Sequence, residues 1–470
     1  MRALVVDPTQ WRPPEKRRPQ EDGSAPTALP LAFRDVGTPS PQMPGWVLVR
    51  PALSGICRTD LAMLHQTAGA AVLTAYERPA ILVPGHEIVG VVEQTAKTRW
   101  AREGHRVIVE PTLRCAHKGL PECRRCRAGD GHLCENADRA GAICSGSGVG
   151  ASERTGGGWS DAFLAHEDML VPADGISDQR GVLAEPVASA LHAAMRWTRR
   201  GDQAVVIGSG AFCRLLVATL RRLYADLNIT VIYDSRSQYR PRAGRSARRA
   251  DSAGPDRHTD FAAIRGLGAS QVWHGRPEAL VQRTAEHVGA RMLRPRGGGL
   301  PVLDGGVDVV FDCRGTQEST DVSLRLLRAG GTLVLCGRAS RTEVDLPLLW
   351  SRELTVCGAA TYGHEANGRR TFAIVREWLT DASFPVDHIV THRYPLEEFG
   401  RAIETATAGI SVGAVKVVFQ GPEAALQRPR YADYEMKKGD GNGGGSMPMF
   451  LEQSAARART AKQQTAAGRR

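Results

Sequence analysis

No apolar run in the sequence approaches the roughly 18 residues that a membrane-crossing helix needs, so no membrane span is expected. The first residues, Met1-Arg2-Ala3-Leu4-Val5-Val6, reach Asp7 too soon to build the apolar core of a signal peptide, and they read as a first β-strand. The cytoplasm is the expected compartment. Ten cysteines in 470 residues are too sparse for a disulfide scaffold, and four of them are clustered, which suits a metal in a reducing compartment. No internal repeat stands out. The net charge of +11 invites a nucleic-acid reading, but its location argues against one. Residues 235–260 hold seven Arg against three Asp, and residues 421–470 hold nine Lys/Arg against five Asp/Glu. Most of the excess therefore sits in segments that look like a loop and a tail, with no groove-reading motif, and no nucleic-acid partner is expected.

What is present suits two domains plus extensions. Hydrophobic residues make up 42% of the chain, enough for sizeable cores, while 51 Gly and 27 Pro imply many tight turns. Residues 8–30, rich in Pro and charge, read as a surface loop after the first strand, and 235–257 as an Arg-rich loop. The Gly-rich and then Ala/Gln/Arg-rich tail, 421–470, reads as disordered. Between these additions, 46–53 and 81–93 look like strands. From 203 onward strands and helices alternate: strands at 204–207, 229–233, near 272, 307–312, 333–336 and 354–357, and helices at 211–225, 259–267 and 318–328. That succession predicts an α/β, doubly wound nucleotide-binding fold.

Two sets of metal-ligating residues differ in spacing. Cys115, Cys123, Cys126 and Cys134 fall within twenty residues as Cys-x7-Cys-x2-Cys-x7-Cys, in a segment too rich in Arg, Lys, Gly and Pro to be a core. Four thiolates complete a tetrahedral shell, so this lobe reads as a structural zinc site. His117 and His132 lie inside the lobe as substitutes for a cysteine. The second set is dispersed: Cys57, His86-Glu87 after Gly85, and Glu185 before Pro186. A mixed Cys/His/carboxylate set from distant loops leaves a coordination position open for chemistry, although His86 capping a turn with Glu87 facing solvent is the plainer alternative. Thr59 places a hydroxyl beside Cys57 to relay a proton, and Asp60 is an acceptor for His86 that would fix its tautomer.

Val205 to Cys213 reads Val-Val-Ile-Gly-Ser-Gly-Ala-Phe-Cys, a dinucleotide turn whose third glycine is Cys213. Gly208 and Gly210 let the backbone approach a pyrophosphate at the helix start formed by Ala211 and Phe212, whereas Cys213 puts close helix–strand packing in doubt. Asp234 ends the second strand, where a carboxylate takes both ribose hydroxyls and repels a 2′-phosphate. NAD is favoured, with NADP possible through Arg236 and the arginines beyond it.

These residues resemble the zinc-containing medium-chain dehydrogenase/reductases, in the branch of threonine, sorbitol and glucose dehydrogenases. The resemblance runs in order through GICRTD (55–60), VPGHEIVGVV (83–92), the four-cysteine lobe, GGGWSDAFLAH (156–166), LAEPVASALHA (183–193) and VIGSG (206–210). It closes with VDVVFDCRG (307–315), AGGTLVLCG (329–337) and GAVKVVF (413–419). It implies a GroES-like, β-rich catalytic domain from 1–189 and 362–420, carrying the lobe at 113–136, packed against a Rossmann domain at 190–361. It implies Cys57 and His86 as catalytic zinc ligands, Glu185 as the carboxylate ligand, Glu87 entering during ligand exchange and Thr59 as proton relay. Two zinc ions per chain, NAD(P), a small-molecule alcohol or ketone substrate, and a homodimer or homotetramer follow from it. Arg58 replaces the glycine usual in this branch and is a candidate contact for the cofactor pyrophosphate. The relay beyond Thr59 is open, since His65 lies further on. A rival expectation is an inactive dehydrogenase fold that recruits an acidic partner through the basic loop and tail.

Overall fold

Two sheets organise the chain, and each forms for a different reason. The computed structural model describes residues 1–6, 30–64, 82–137, 139–141, 144, 146–152, 154–234, 257–337 and 342–422. Apart from a few end residues, the expected loops 8–30 and 235–257 and the expected tail 421–470 lie outside the described residues, as does His65.

The first sheet is mostly antiparallel and built on the ten-residue strand Trp46–Gly55. On one side it pairs with Ile88–Thr95, which leads to Arg106–Val109 and Leu170–Pro172; on the other it pairs with Lys416–Gln420, which leads to Val390–Pro395. Phe163–His166 also pairs with it. A strand from near residue 50 thus lies beside one from near residue 418, so distant parts of the chain complete one sheet. The expected strand 81–93 is shorter than read. The ladder starts only at Ile88, because Pro84 has no amide to donate and the chain bends through Gly85 before His86 and Glu87.

The second sheet is wholly parallel, in the spatial order Gln271–Gly275, Asn228–Asp234, Gln203–Ile207, Val307–Asp312, Leu327–Leu335, Thr355–Gly358. Numbered along the chain, that order is 3-2-1-4-5-6, the doubly wound dinucleotide arrangement. Its strands are near-continuous apolar runs such as QAVVI and VDVVFD, as expected for a sheet covered on both faces. The helix expected at 318–328 runs over Gln317–Leu326, because Leu327 already starts the next strand.

Helix Ala184–Trp197 joins the two sheets. Its buried residues Ala184, Val187, Ala188, Leu191 and Ala194 share one core with Leu53, Val89 and Ile108 of the first sheet and Val206, Val231, Phe311 and Val334 of the second. Each such large apolar side chain contributes about 1.5–3 kcal/mol when fully buried. The site between the sheets is therefore held by a shared core.

Candidate active site and metal centres

At the first sheet, the loop after Trp46–Gly55 carries Cys57, and the bend before Ile88 carries His86 and Glu87. Their ligand atoms lie within 4.8 Å of one another. Asp60 holds the arrangement from beneath: one carboxylate oxygen accepts the Cys57 backbone N–H at 2.9 Å, and the other lies 3.4 Å from His86 Nδ1. The expected Asp60–His86 pairing is thus a feature of the structure. Burial opposes a charged imidazole, but Asp60 and then Cys57 raise the His86 pKa well above its ordinary value. Thr59 is half-buried in the first turn of helix Arg58–Leu64, beside Cys57. Gly55 is required here, since a Cβ on it would stand 1.8 Å from a Glu87 carboxylate oxygen.

The four-cysteine lobe is a second centre. Cys115, Cys123, Cys126 and Cys134 place their sulfurs within 4.8 Å of one another, with Cys115 and Cys134 at 3.5 Å. Four sulfurs about 2.3 Å from one ion lie roughly 3.8 Å apart, so the cradle fits zinc. Backbone N–H groups support it: Cys126 and Glu135 donate to Cys123 Sγ and Cys123 donates to Cys115 Sγ, each at 3.4 Å. The Cys126 and Glu135 amides help lower the Cys123 pKa to about 6, while burial raises Cys126 and Cys134. Neither lobe histidine substitutes for a thiol. His132 packs against His192, and His117 joins His166 and Asp168. That last trio is a poor metal site, because His117 Nδ1 and His166 Nδ1 already accept backbone N–H bonds and Asp168 is paired with Arg99.

At the second sheet, Gly208 follows Gln203–Ile207 with φ +138°, a conformation that L side chains rarely adopt. Gly210 caps helix Ala211–Leu223, of which Ala211 and Phe212 form the start. The doubt over Cys213 resolves in favour of the turn: its thiol is buried and donates to the Gly208 carbonyl at 2.9 Å, closing the loop that a third glycine would have let pack. Asp234 ends its strand as expected and stands opposite Gly275 in register. A recess at this end is lined by Ile207, Ile232, Tyr233, Leu280 and Arg314, among others.

Residues 43–175 match the family model for the alcohol dehydrogenase GroES-like domain, and residues 259–380 match that for zinc-binding dehydrogenases. The chain belongs to the zinc-type medium-chain dehydrogenase/reductases. It is 25% identical over 380 residues to L-idonate 5-dehydrogenase of Vitis vinifera, covering 79% of this chain and 87% of that one. It is 26% identical over 360 residues to L-galactonate-5-dehydrogenase of Escherichia coli, covering 76% and 86%. Its fold matches that of 2R,3R-butanediol dehydrogenase from Bacillus subtilis with a TM-score of 0.61 at 21% identity, covering 83% of this chain and 96% of that one.

Within this dehydrogenase, Glu185 stands apart from the compact trio. It lies in the first turn of Ala184–Trp197, where burial, with Glu87 and Asp60 adding to it, pushes its pKa up to about 7 against the opposing pull of His86 and Lys416. Glu87 is buried and ion-paired with Lys416, whose Nζ also donates to the Ile56 carbonyl at 3.2 Å. Burial alone would depress the Lys416 pKa, but Glu87, Cys57 and Glu185 hold it above its ordinary value. Two neighbours were missed from sequence. Lys416 carried a signal, as a lone charge inside the apolar run GAVKVVF. Tyr362, buried, with a hydroxyl pKa raised by burial and then by Glu185, carried none.

Proposed function

We propose that this protein is an NAD(P)-linked oxidoreductase that transfers hydride between the cofactor and a secondary alcohol or polyol, or the corresponding ketone. The observation that carries the reading is the convergence of Cys57, His86 and Glu87 within 4.8 Å, backed by Asp60 and with Glu185 beside them. A zinc ion held there would act as Lewis acid on the substrate oxygen, and the nicotinamide would exchange the hydride. Cys57 and His86 are the primary ligands in this reading and Glu185 the carboxylate ligand. Glu87 enters only when Lys416 releases it. Asp60 keeps His86 in one tautomer. Thr59, next to Cys57, would relay the proton that the alcohol loses, releasing its own hydroxyl proton toward solvent as it accepts.

The second zinc belongs to the four thiolates and is structural, since all four positions of a tetrahedral shell are filled. For the cofactor, the turn Gly208–Phe212 receives the phosphates at a helix start and Asp234 favours NAD over NADP. The matched polyol and sugar-acid dehydrogenases support a small polar alcohol as substrate. The proposed domain division is 1–189 with 362–420 for the catalytic domain and 190–361 for the nucleotide-binding domain, a reading supported by the presence of two separate sheets. The intact ligand trio argues against the inactive, partner-recruiting alternative.

A homodimer, or a homotetramer built from it, is the proposed assembly, through the outer strand of the parallel sheet. Thr355–Gly358 is an edge strand, and near it Trp350 is 83% and Leu346 67% exposed. Exposed apolar residues beside an unpaired edge suit a second copy. The cytoplasm is the proposed compartment because the thiolate lobe needs a reducing medium. The test is a screen of polyols and sugar acids with NAD and with NADP, following reduced nicotinamide. Turnover with at least one secondary alcohol, abolished by Cys57→Ser, supports the reading; undiminished turnover by Cys57→Ser would sink the site assignment.

A further inference from the structure

Five of the ten cysteines belong to the two proposed metal centres, and four of the other five gather in one place. Cys213, Cys313, Cys336 and Cys357 pack in or against the core shared by helix Ala184–Trp197 and the parallel sheet, and all four are free thiols. The register of the strands brings three of them to the dinucleotide turn. Asp312 stands opposite Ile207 on one side and Leu335 on the other, so Gly208, Cys313 and Cys336 leave three neighbouring strands at one level. Cys213 reaches the turn from the start of helix Ala211–Leu223. Two consecutive carbonyls of the turn are then held by cysteines. The Cys313 backbone N–H donates to the Ile207 carbonyl at 3.0 Å, and the Cys213 thiol donates to the Gly208 carbonyl at 2.9 Å.

Gly208 leaves room for Cys213 and Cys313 to meet. A Cβ on it would stand 3.4 Å from Cys313 Cβ and 3.7 Å from Cys213 Cβ, so the two β-carbons border one small space. Cys313 is half-buried and Cys213 is buried. Cys213 and Cys336, and then burial, raise the Cys313 pKa well above its ordinary value. That keeps the sulfur a thiol and slows its reaction with oxidants. Cys336 is the poorer partner for Cys313. Its amide donates to the Asp312 carbonyl at 2.9 Å, which holds it at the roughly 4.8 Å spacing of neighbouring strands. A disulfide takes β-carbons about 3.8 Å apart. Cys213, on a helix start outside the ladder, is free of that constraint.

We propose that Cys213 and Cys313 are a reversible oxidation site, where a hydroperoxide joins the two sulfurs and thereby weakens dinucleotide binding at the Gly208–Phe212 turn. The effect on binding rests on the dehydrogenase reading; the bond itself does not. Cys313, the more accessible of the two, attacks the peroxide. Its sulfur loses two electrons and becomes a sulfenic acid, the O–O bond breaks, and the alcohol (water, from hydrogen peroxide) leaves with the thiol proton. The Cys213 sulfur then attacks that of Cys313. The S–S bond forms, the S–O bond breaks, and hydroxide leaves as water with the Cys213 proton. The Gly208 carbonyl loses its thiol donor, and the helix start is drawn toward strand Val307–Asp312, out of the shape that receives phosphates. A small-molecule dithiol reverses the bond by exchange. Because Cys313 is kept protonated, the pair responds to sustained oxidant and not to traces.

The test treats the full-length protein with hydrogen peroxide, maps its disulfides by peptide mass spectrometry, and measures NADH affinity by calorimetry before treatment, after it, and after dithiothreitol. Wild type should gain a Cys213–Cys313 bond and lose NADH affinity about tenfold or more, with recovery on reduction. Cys313→Ser should bind NADH like the reduced wild type and keep that affinity through the treatment, which separates this pair from the thiols of the proposed zinc centres. Cys336→Ser should behave as wild type. Absence of the bond in oxidised wild type, or a bond mapped to Cys313 and Cys336, would overturn the assignment whatever the variants do. An equal loss of affinity in Cys313→Ser would overturn it too, as would a Cys213–Cys313 bond that leaves NADH affinity unchanged. A reduced wild type that binds neither NADH nor NADPH would overturn the dehydrogenase reading together with the control of binding, and the mapped bond would stand alone.

Discussion

Asp60 bonds the backbone of one proposed ligand and the ring of another, so its carboxylate fixes the spacing of Cys57 and His86 before any metal arrives. Asp60→Asn keeps the shape but removes the charge that orients the imidazole. Zinc affinity at this centre should fall about 10- to 100-fold, measured by competition with a chelator, while the lobe zinc stays bound. An unchanged affinity would mean that His86 is oriented by packing alone. Much of this residue scale was legible, because Cys57, Thr59, Asp60, His86 and Glu87 lie in two short motifs whose chemistry is local. Lys416 and Tyr362 were not assigned. Each matters only because folding brings it to a carboxylate far away in the chain, and spacing along the chain carries no trace of that.

Among the elements, the junction of strand Arg106–Val109, the cysteine lobe and helix Thr371–Thr380 turns on one buried carboxylate. Glu110 accepts from Arg114 at 2.7 Å and is paired with Arg370, the cap residue of that helix. Burial would raise the Glu110 pKa, but Arg370 and Arg114 outweigh it and hold the carboxyl below its ordinary value. A depressed carboxyl contributes stability above its unfolded pKa, near 4.3, and loses it as pH falls through the lower folded value. Glu110→Gln should therefore cost about 3–5 kcal/mol at pH 7 and lose less stability than wild type between about pH 5 and pH 3, read from thermal melts. Parallel pH profiles for the two proteins would contradict this. The parallel strands were legible because burial on both faces forces continuous apolar runs. The start of Ile88–Thr95 and the end of the helix at Leu326 were misjudged by a few residues, since apolar character continues through Val83 and Leu327 while the backbone changes direction.

For the whole molecule, the edge strand Thr355–Gly358 and the exposed Trp350 set a prediction about assembly. Light scattering should give at least twice the 50.7 kDa chain mass, and Trp350→Glu should shift the protein toward the monomer. A wild-type monomer would remove this edge as an interface. In the proposed reading the two-sheet architecture also separates two metal roles, an open centre in the cleft and a closed one in the lobe. Zinc per chain, by elemental analysis of wild type and of Cys57→Ser, tests that separation most directly. The account predicts about two ions falling to about one, with turnover lost and the lobe still loaded. About one ion in both proteins would contradict it, leaving metal in the lobe alone and no catalytic centre at Cys57.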